Sequence, residues 1–189
     1  MYETFKELGL ENFTIRINNR KILNGLFAWV GEEDKAGDIL RTIDKIEKIG
    51  KEMVIAIFKD DYQMKEESIN KIIDFIEING NKDEKLEKLE RLGIDNEVFK
   101  EGLSELKDVV KYMRLFNVAE EAFDIDLSIA RGLDYYTGTV YETFLNDYRE
   151  IGSICSGGRY NDLAEYYTNK NLPGVGMSIR TYKIIFCFK

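Results

Sequence analysis

Residues 123–145 read FDIDLSIARGLDYYTGTVYETFL. Phe123, Ile125, Leu127 and Ile129 alternate with Asp124, Asp126, Ser128 and Ala130, the period-2 pattern of a strand with one buried face. Thr139 to Leu145 reads as a second strand. Between them lies RGLDYYTG, whose Gly132 and Gly138 can take backbone conformations closed to other residues. Downstream, Ile151 to Cys155 reads as a third strand, followed by a Gly157-Gly158 turn and a helix from about Tyr160. LPGVGMSI (172–179) reads as a turn and then a strand. Strands joined by short connections predict an antiparallel sheet.

Upstream, FTIRINN (13–19) alternates Phe13, Ile15 and Ile17 with polar partners, another half-buried strand, ended by Asn18-Asn19. The next segment places Ile22, Leu23, Leu26 and Phe27 on one helical face, with Gly31 as a stop. From Glu32 to Asn117 the pattern is helical. Its stripes are Ile39, Leu40, Ile43 and Ile46; then Ile69, Ile72, Ile73 and Ile76; then Leu86, Leu89 and Leu92. A longer one carries Phe99, Leu103, Leu106, Val110 and Met113. They read as the core of a small helical bundle and not as a cofactor site. MVIAIF (53–58) is a short apolar run that fits a buried strand or a helix equally. The expected class is α+β: an antiparallel sheet with flanking helices, divided into residues 1–31, a helical insertion at 32–118, and residues 119–189.

Composition narrows the chemistry. The 189 residues include 35 acidic against 27 basic ones, a formal charge of −8, which argues against a free-standing nucleic-acid binder held by phosphate attraction. There is no histidine, so Ser-His and Cys-His triads and His-ligated metals are excluded within this polypeptide. Cys155 and Cys187 are too few and too irregularly placed for a disulfide scaffold or a zinc site. No apolar run approaches the ~20 residues of a membrane helix, and MYETFKELGLENF lacks the pattern of a signal peptide, so a cytoplasmic protein is expected.

Three blocks in order carry a resemblance. The run Arg131 to Val140, RGLDYYTGTV, closely resembles the histidine-binding signature of histidyl-tRNA synthetases. Ser156-Gly157-Gly158-Arg159-Tyr160 follows at a family-like distance, then Leu172-Pro173-Gly174-Val175-Gly176-Met177-Ser178. FTIRINNRKILNGL resembles the strand and helix that precede this family's insertion domain, so the likeness covers nearly the whole chain. It implies part of a class II synthetase catalytic core, whose parent enzyme activates L-histidine with ATP and Mg²⁺ and transfers it to histidine tRNA.

Carried over residue by residue, the resemblance gives Arg131 the catalytic role of facing the ATP α-phosphate and a share in binding ATP and histidine. A permanently charged planar fork suits that task. Tyr136 and Tyr160 match the readers of the histidine side chain, since a phenol can donate to or accept from an imidazole nitrogen. Gly157 and Gly158 suit close backbone approach to the amino acid, and Gly174 and Gly176 to the nucleotide. Asp134 and Tyr135 are assigned to packing, because adjacent strand residues face opposite ways. Cys155 reads as a small packing residue.

The sequence also departs from the family. Asn161-Asp162 follows the tyrosine where the family more often has aspartate directly. The third motif continues as Arg180-Thr181-Tyr182-Lys183: Arg180 stands where the family has glycine, and Lys183 where it has the arginine that stacks on adenine, a contact lysine cannot reproduce. The resemblance places the dimerisation motif and the second class II motif ahead of residue 1, and an anticodon-binding domain after residue 189. The expected reading is therefore a partial core, inactive alone, with no protein-ligated metal. A homodimer is an open expectation, as is self-association through unpaired strand edges. The alternative is a histidine-sensing regulatory paralogue. A further expectation is that the insertion contacts the tRNA acceptor stem, as it does in the family.

Overall fold

In the computed structural model the protein is described for residues 1–129, 135–163, 168–170 and 172–187. After a short helix α1 (Tyr2–Glu7), the chain enters strand β1 (Phe13–Asn19), where Phe13, Ile15 and Ile17 are buried as their alternation requires. Asn19 closes the strand and caps the next helix, its Oδ1 accepting the Lys21 N–H at 2.9 Å. That helix, α2 (Arg20–Trp29), buries Ile22, Leu23, Leu26 and Phe27. It ends at Gly31 as expected: with φ +76°, Gly31 donates to Ala28 O at 3.1 Å and Glu32 donates to Phe27 O at 2.9 Å, satisfying two terminal carbonyls.

Residues 36–115 form six helices: α3 (Ala36–Ile43), α4 (Ile46–Ile49), α5 (Lys51–Ala56), α6 (Glu66–Ile76), α7 (Lys82–Arg91) and α8 (Glu97–Leu115). The ambiguous run at 53–58 is helical, completing α5 and opening a π turn at Ile57–Asp61, with Val54 and Phe58 buried. Asn81 and Glu84 make a reciprocal capping box on α7, and Asn96 caps α8. The predicted stripes face inward, except that Leu92 is exposed.

Helix α8 lies across α2 at backbone contact. A Cβ on Gly25 would sit 2.6 Å from Phe99 N, and one on Gly102 would sit 2.7 Å from Ile22 N. Beside this crossing, the Glu105 carboxylate accepts from Asn19 Nδ2 and Lys21 Nζ, both at 2.7 Å. Most buried side chains of helices α3–α8 and of the sheet form one continuous cluster.

The chain then returns to the sheet, whose strands lie in the order β2 (Phe123–Ile125), β1, β3 (Thr139–Leu145), β4 (Cys155–Tyr160) and β5 (Gly174–Ile179). Strand β2 is confined to Phe123–Ile125 and pairs parallel to β1, so the sheet is mixed and not wholly antiparallel. The expected strand to Ala130 stops early because the Asp126 carboxylate accepts from Ser128 N at 3.0 Å and Ser128 Oγ at 2.6 Å, turning the backbone. Strand β3 (Thr139–Leu145) pairs antiparallel with β1 along its full length.

The next strand is shifted from its expected place. Residues 149–152 form a tight turn with Gly152 at φ +68°, and β4 runs from Cys155 to Tyr160. Gly157-Gly158 therefore lies inside a strand and not in a turn, and Tyr160 ends the strand where a helix was expected to begin. Strand β5 (Gly174–Ile179) is as expected, and a final helix α9 (Thr181–Cys187) follows. Among the described residues no helix is long and apolar enough to cross a membrane.

A tyrosine cleft over a glycine floor

The register of β3, β4 and β5 decides what faces the cleft. Val140 pairs with Gly158 and Gly158 with Gly176, while Ser156 pairs with Ser178 and Tyr160 with Gly174. Alternation then gathers Ser156, Gly158 and Tyr160 with Gly174, Gly176 and Ser178 on one face. Five of those six residues are glycine or serine, so this patch of sheet is nearly bare of side chains. The opposite face carries Phe13, Ile15, Ile17, Leu145 and Cys155, which pack with Phe5 and the α2 side chains.

Aromatic rings cover the bare floor. A Cβ on Gly174 would lie 2.3 Å from Tyr160 Cε2, one on Gly176 3.2 Å from Tyr160 Cε1, and one on Gly158 2.7 Å from Tyr136 Cδ1. Each ring occupies space that any other residue at these positions would fill. Tyr136 is 8 % exposed and packs with Ile129, Val140 and Tyr160 in a small cluster of its own. The Tyr135 ring lies 4.5 Å from Tyr136 and meets Tyr160 edge-on at 6.1 Å, and its hydroxyl donates to the Tyr136 hydroxyl at 3.4 Å.

Backbone bonds fix the turn that presents these rings. Thr137 N donates to Arg159 O and Arg20 N donates to Gly138 O, each at 2.9 Å. Asn18, fully buried, donates from Nδ2 to Leu127 O at 3.2 Å and Ile129 O at 3.0 Å, holding the segment that leads into it. From the opposite face Tyr141 reaches beneath the floor, its hydroxyl donating to Gly176 O at 2.9 Å. Gly157 makes this possible: a Cβ there would be 2.1 Å from Gly176 O and 2.6 Å from the Tyr141 hydroxyl. Burial, with smaller contributions from Cys155 and Tyr160, pushes the Tyr141 phenol up to about 12.

The cleft has a volume of about 390 Å³, the size of a small-molecule site. Of the residues expected from the sequence, Tyr136, Tyr160, Gly158, Gly174 and Gly176 are brought together here. Gly157 supports the floor from behind. Lys183 is directed elsewhere, its ammonium donating to Ile151 O and to Ser153 O at 3.1 Å. Arg131, Gly132 and Asp134 lie outside the described residues.

Sequence reasoning missed Tyr135, Ser156, Ser178 and Arg180, all of which line the cleft. Tyr135 was assigned to packing on strand geometry, but residues 135–136 lie in a turn, so both neighbouring rings reach one site. The two serines could have been found by reading SGGRY and GVGMSI in alternate positions. Among the described residues no cluster of three or more His, Cys, Asp or Glu side chains could hold a metal ion.

Comparison with known proteins gives a consistent result. A family model described as histidyl-tRNA synthetase matches residues 1–184. The histidine–tRNA ligase of Clostridium tetani is 56 % identical over 186 residues, covering 98 % of this chain and 42 % of that protein. The ligase of Finegoldia magna is 48 % identical, covering 98 % and 43 %. The crystal structure of histidyl-tRNA synthetase from Nostoc sp. PCC 7120 superimposes with a TM-score of 0.92 at 42 % identity, covering 98 % of this chain and 44 % of that one. A Bacillus halodurans protein described as an ATP phosphoribosyltransferase regulatory subunit/histidyl-tRNA synthetase shares the fold, with a TM-score of 0.81 at 22 % identity.

Proposed function

The chain belongs to the histidyl-tRNA synthetase family, and from that membership we propose that it supplies the amino-acid-reading half of a class II catalytic core. In the parent enzyme the histidine carboxylate would attack the ATP α-phosphate, forming histidyl-adenylate and releasing pyrophosphate, and the histidyl group would then pass to histidine tRNA with release of AMP. This chain spans under half the length of the curated relatives it matches, so that complete reaction belongs to the longer protein. The observation that carries the reading is the pairing of Tyr136 and Tyr160 over the floor of Gly158, Gly174 and Gly176.

In this reading an imidazole lies against the two rings, and the phenol hydroxyls meet its nitrogens. A buried polar reader of this kind can reject a ligand lacking the group by roughly 10⁴ to 10⁵ fold. Arg131 would face the α-phosphate and stabilise charge as the histidine carboxylate attacks it. The cleft's described lining residues are tyrosines, serines, glycines, Leu163, Met177 and Arg180, without a carboxylate. Mg²⁺ would therefore arrive on the phosphate chain of ATP. An ATP contact from Lys183 would require its ammonium to leave the Ile151 and Ser153 carbonyls. Residues 32–118 would meet the acceptor stem of the tRNA.

The test is a chimera in which residues 1–184 replace the matching part of the Clostridium tetani ligase. We expect the chimera to catalyse histidine-dependent pyrophosphate exchange and the isolated chain not to. A folded chimera that neither binds histidine nor exchanges pyrophosphate would overturn the proposal. The regulatory-paralogue reading predicts histidine binding without exchange by the chimera. The likeness to the Bacillus halodurans protein shows fold alone.

A further inference from the structure

The cleft has a chemical polarity that the tyrosines alone do not explain. At the end away from the rings stands Arg180, which directly follows β5 and continues its pairing, its backbone N–H donating to Ile154 O at 2.8 Å. The side chain lines the cleft and is anchored at one corner. Nη1 donates to Ser153 O at 2.8 Å and to Ser153 Oγ at 2.9 Å. Among the described residues Nε and Nη2 have no acceptor and no carboxylate lies within ion-pair distance of the group.

Several other arginines carry a carboxylate partner. Arg16 is paired with Glu47 and Asp126, and Arg114 with Asp83 and Glu120. The charge adjacent to Arg180 is the Lys183 ammonium, on which the Glu142 carboxylate also acts. Lys183 Nζ shares the Ser153 carbonyl at 3.1 Å, and burial followed by the Arg180 guanidinium holds the Lys183 ammonium below the usual lysine range. A planar fork fixed at one nitrogen and open at the others is preorganised for two parallel bonds to an oxyanion. Ser178 and Ser156, also in the lining, leave room for it.

We propose that Arg180 binds an oxyanion in this cleft, either the carboxylate of the ligand whose ring is held by Tyr136 and Tyr160 or a phosphate of ATP placed beside it. The proposal rests on the histidine-binding reading and adds the second point of attachment. A ligand held at a ring and at an anion is fixed in direction as well as position, so Arg180 selects against ring compounds that lack the acid.

Titration calorimetry on the full chain tests this with L-histidine, with L-histidinol, which has an alcohol in place of the carboxylate, and with ATP. The variants are Arg180→Ala, Arg180→Lys and Arg180→Gln, the last keeping a donor for Ser153 without the charge. If the oxyanion is the carboxylate, Ala and Gln weaken L-histidine by roughly 10- to 100-fold, as for a charge-assisted hydrogen bond, leave histidinol unchanged, and Lys recovers part of the loss. If it is a phosphate, the same loss appears with ATP. A folded Gln variant that binds L-histidine and ATP as the parent does would overturn the proposal, and so would an equal loss for histidinol. Failure of the unmodified chain to bind L-histidine, histidinol and ATP would remove the histidine-binding reading and this proposal together. Binding by the parent with unaltered variants would remove only the role of Arg180.

Discussion

The hydroxyl of Tyr141 donates to the carbonyl oxygen of Gly176 across a distance of 2.9 Å, passing over Gly157 on the face of the sheet opposite the cleft. One bond thus ties β3 to β5 over the intervening strand, directly beneath the ring of Tyr160. Tyr141→Phe removes it and leaves the ring in place. The expected cost is about 1 kcal/mol of stability, the usual net worth of such a bond. The sign with pH also follows. The folded-state phenol titrates near 12 against an ordinary value of 10, so the unfolded chain releases its proton first and this contribution is lost as pH rises from 10 to 12. Urea unfolding at pH 9 and at pH 11 should show a smaller alkaline loss for the Phe variant than for the parent. Parallel pH dependence in both would show that Tyr141 is not the group responsible.

Two glycine substitutions separate crowding from backbone strain. Gly157→Ala drives a Cβ to 2.1 Å from a backbone oxygen, which no rotamer can relieve, and should cost about 3 kcal/mol or more. Gly31→Ala meets open space but must hold φ +76°, at a cost of about 1–2 kcal/mol. Denaturant midpoints check the order. The Gly157 variant should also lose ligand binding at temperatures where it stays folded, and the Gly31 variant should keep it.

The crossing of α2 and α8 has no slack. Ala at Gly25 or Gly102 would push the helices apart against contacts of 2.6 and 2.7 Å, each costing about 2–3 kcal/mol as overpacking does. The double variant should cost less than the sum of the two, because the first substitution already opens the gap the second needs. Thermal unfolding of both singles and the double tests this, and strict additivity would contradict it.

At the cleft, Tyr136→Phe keeps the packed ring and removes only the hydroxyl. L-histidine affinity should fall about tenfold with a stability change below about 1 kcal/mol. Tyr135→Phe, on a residue 38 % exposed, should change affinity by less than about threefold. Calorimetric titration of the two variants checks the ranking, and a reversed order would assign the reading of the ring to Tyr135.

Several of these features were legible in the residues. Strands β1, β3 and β5 stand at their expected places, and the insertion helices follow their apolar stripes, because both rest on a periodic demand for burial. Strand β4 was misplaced for a physical reason. CSGGRY puts serine, glycine and tyrosine on its cleft face and no aliphatic side chain, so the hydrophobic signal moved to the preceding Ile151 and Ile154. Strand β2 was read too long because alternation continues through Leu127 and Ile129, while the decisive event, Asp126 turning back to hold Ser128, leaves no trace in hydropathy. The tyrosine pair was legible as chemistry but not as geometry. Arg180 was visible only as a departure from a pattern, and its value as a charge in the cleft needed coordinates.

Helices whose backbones touch can neither roll nor slide without first separating. With Gly25 and Gly102 at the crossing and Glu105 gripping Asn19 and Lys21, α8 and the β1–α2 junction respond to load as one stiff lever. Gly138, which ends the tyrosine turn, sits on that lever: its carbonyl is bonded to Arg20 N, and a Cβ on it would lie 3.3 Å from the Glu105 carboxylate. The turn carrying the rings is therefore tied to the helix crossing by one backbone bond, from Arg20, and by the short reach of the Glu105 carboxylate.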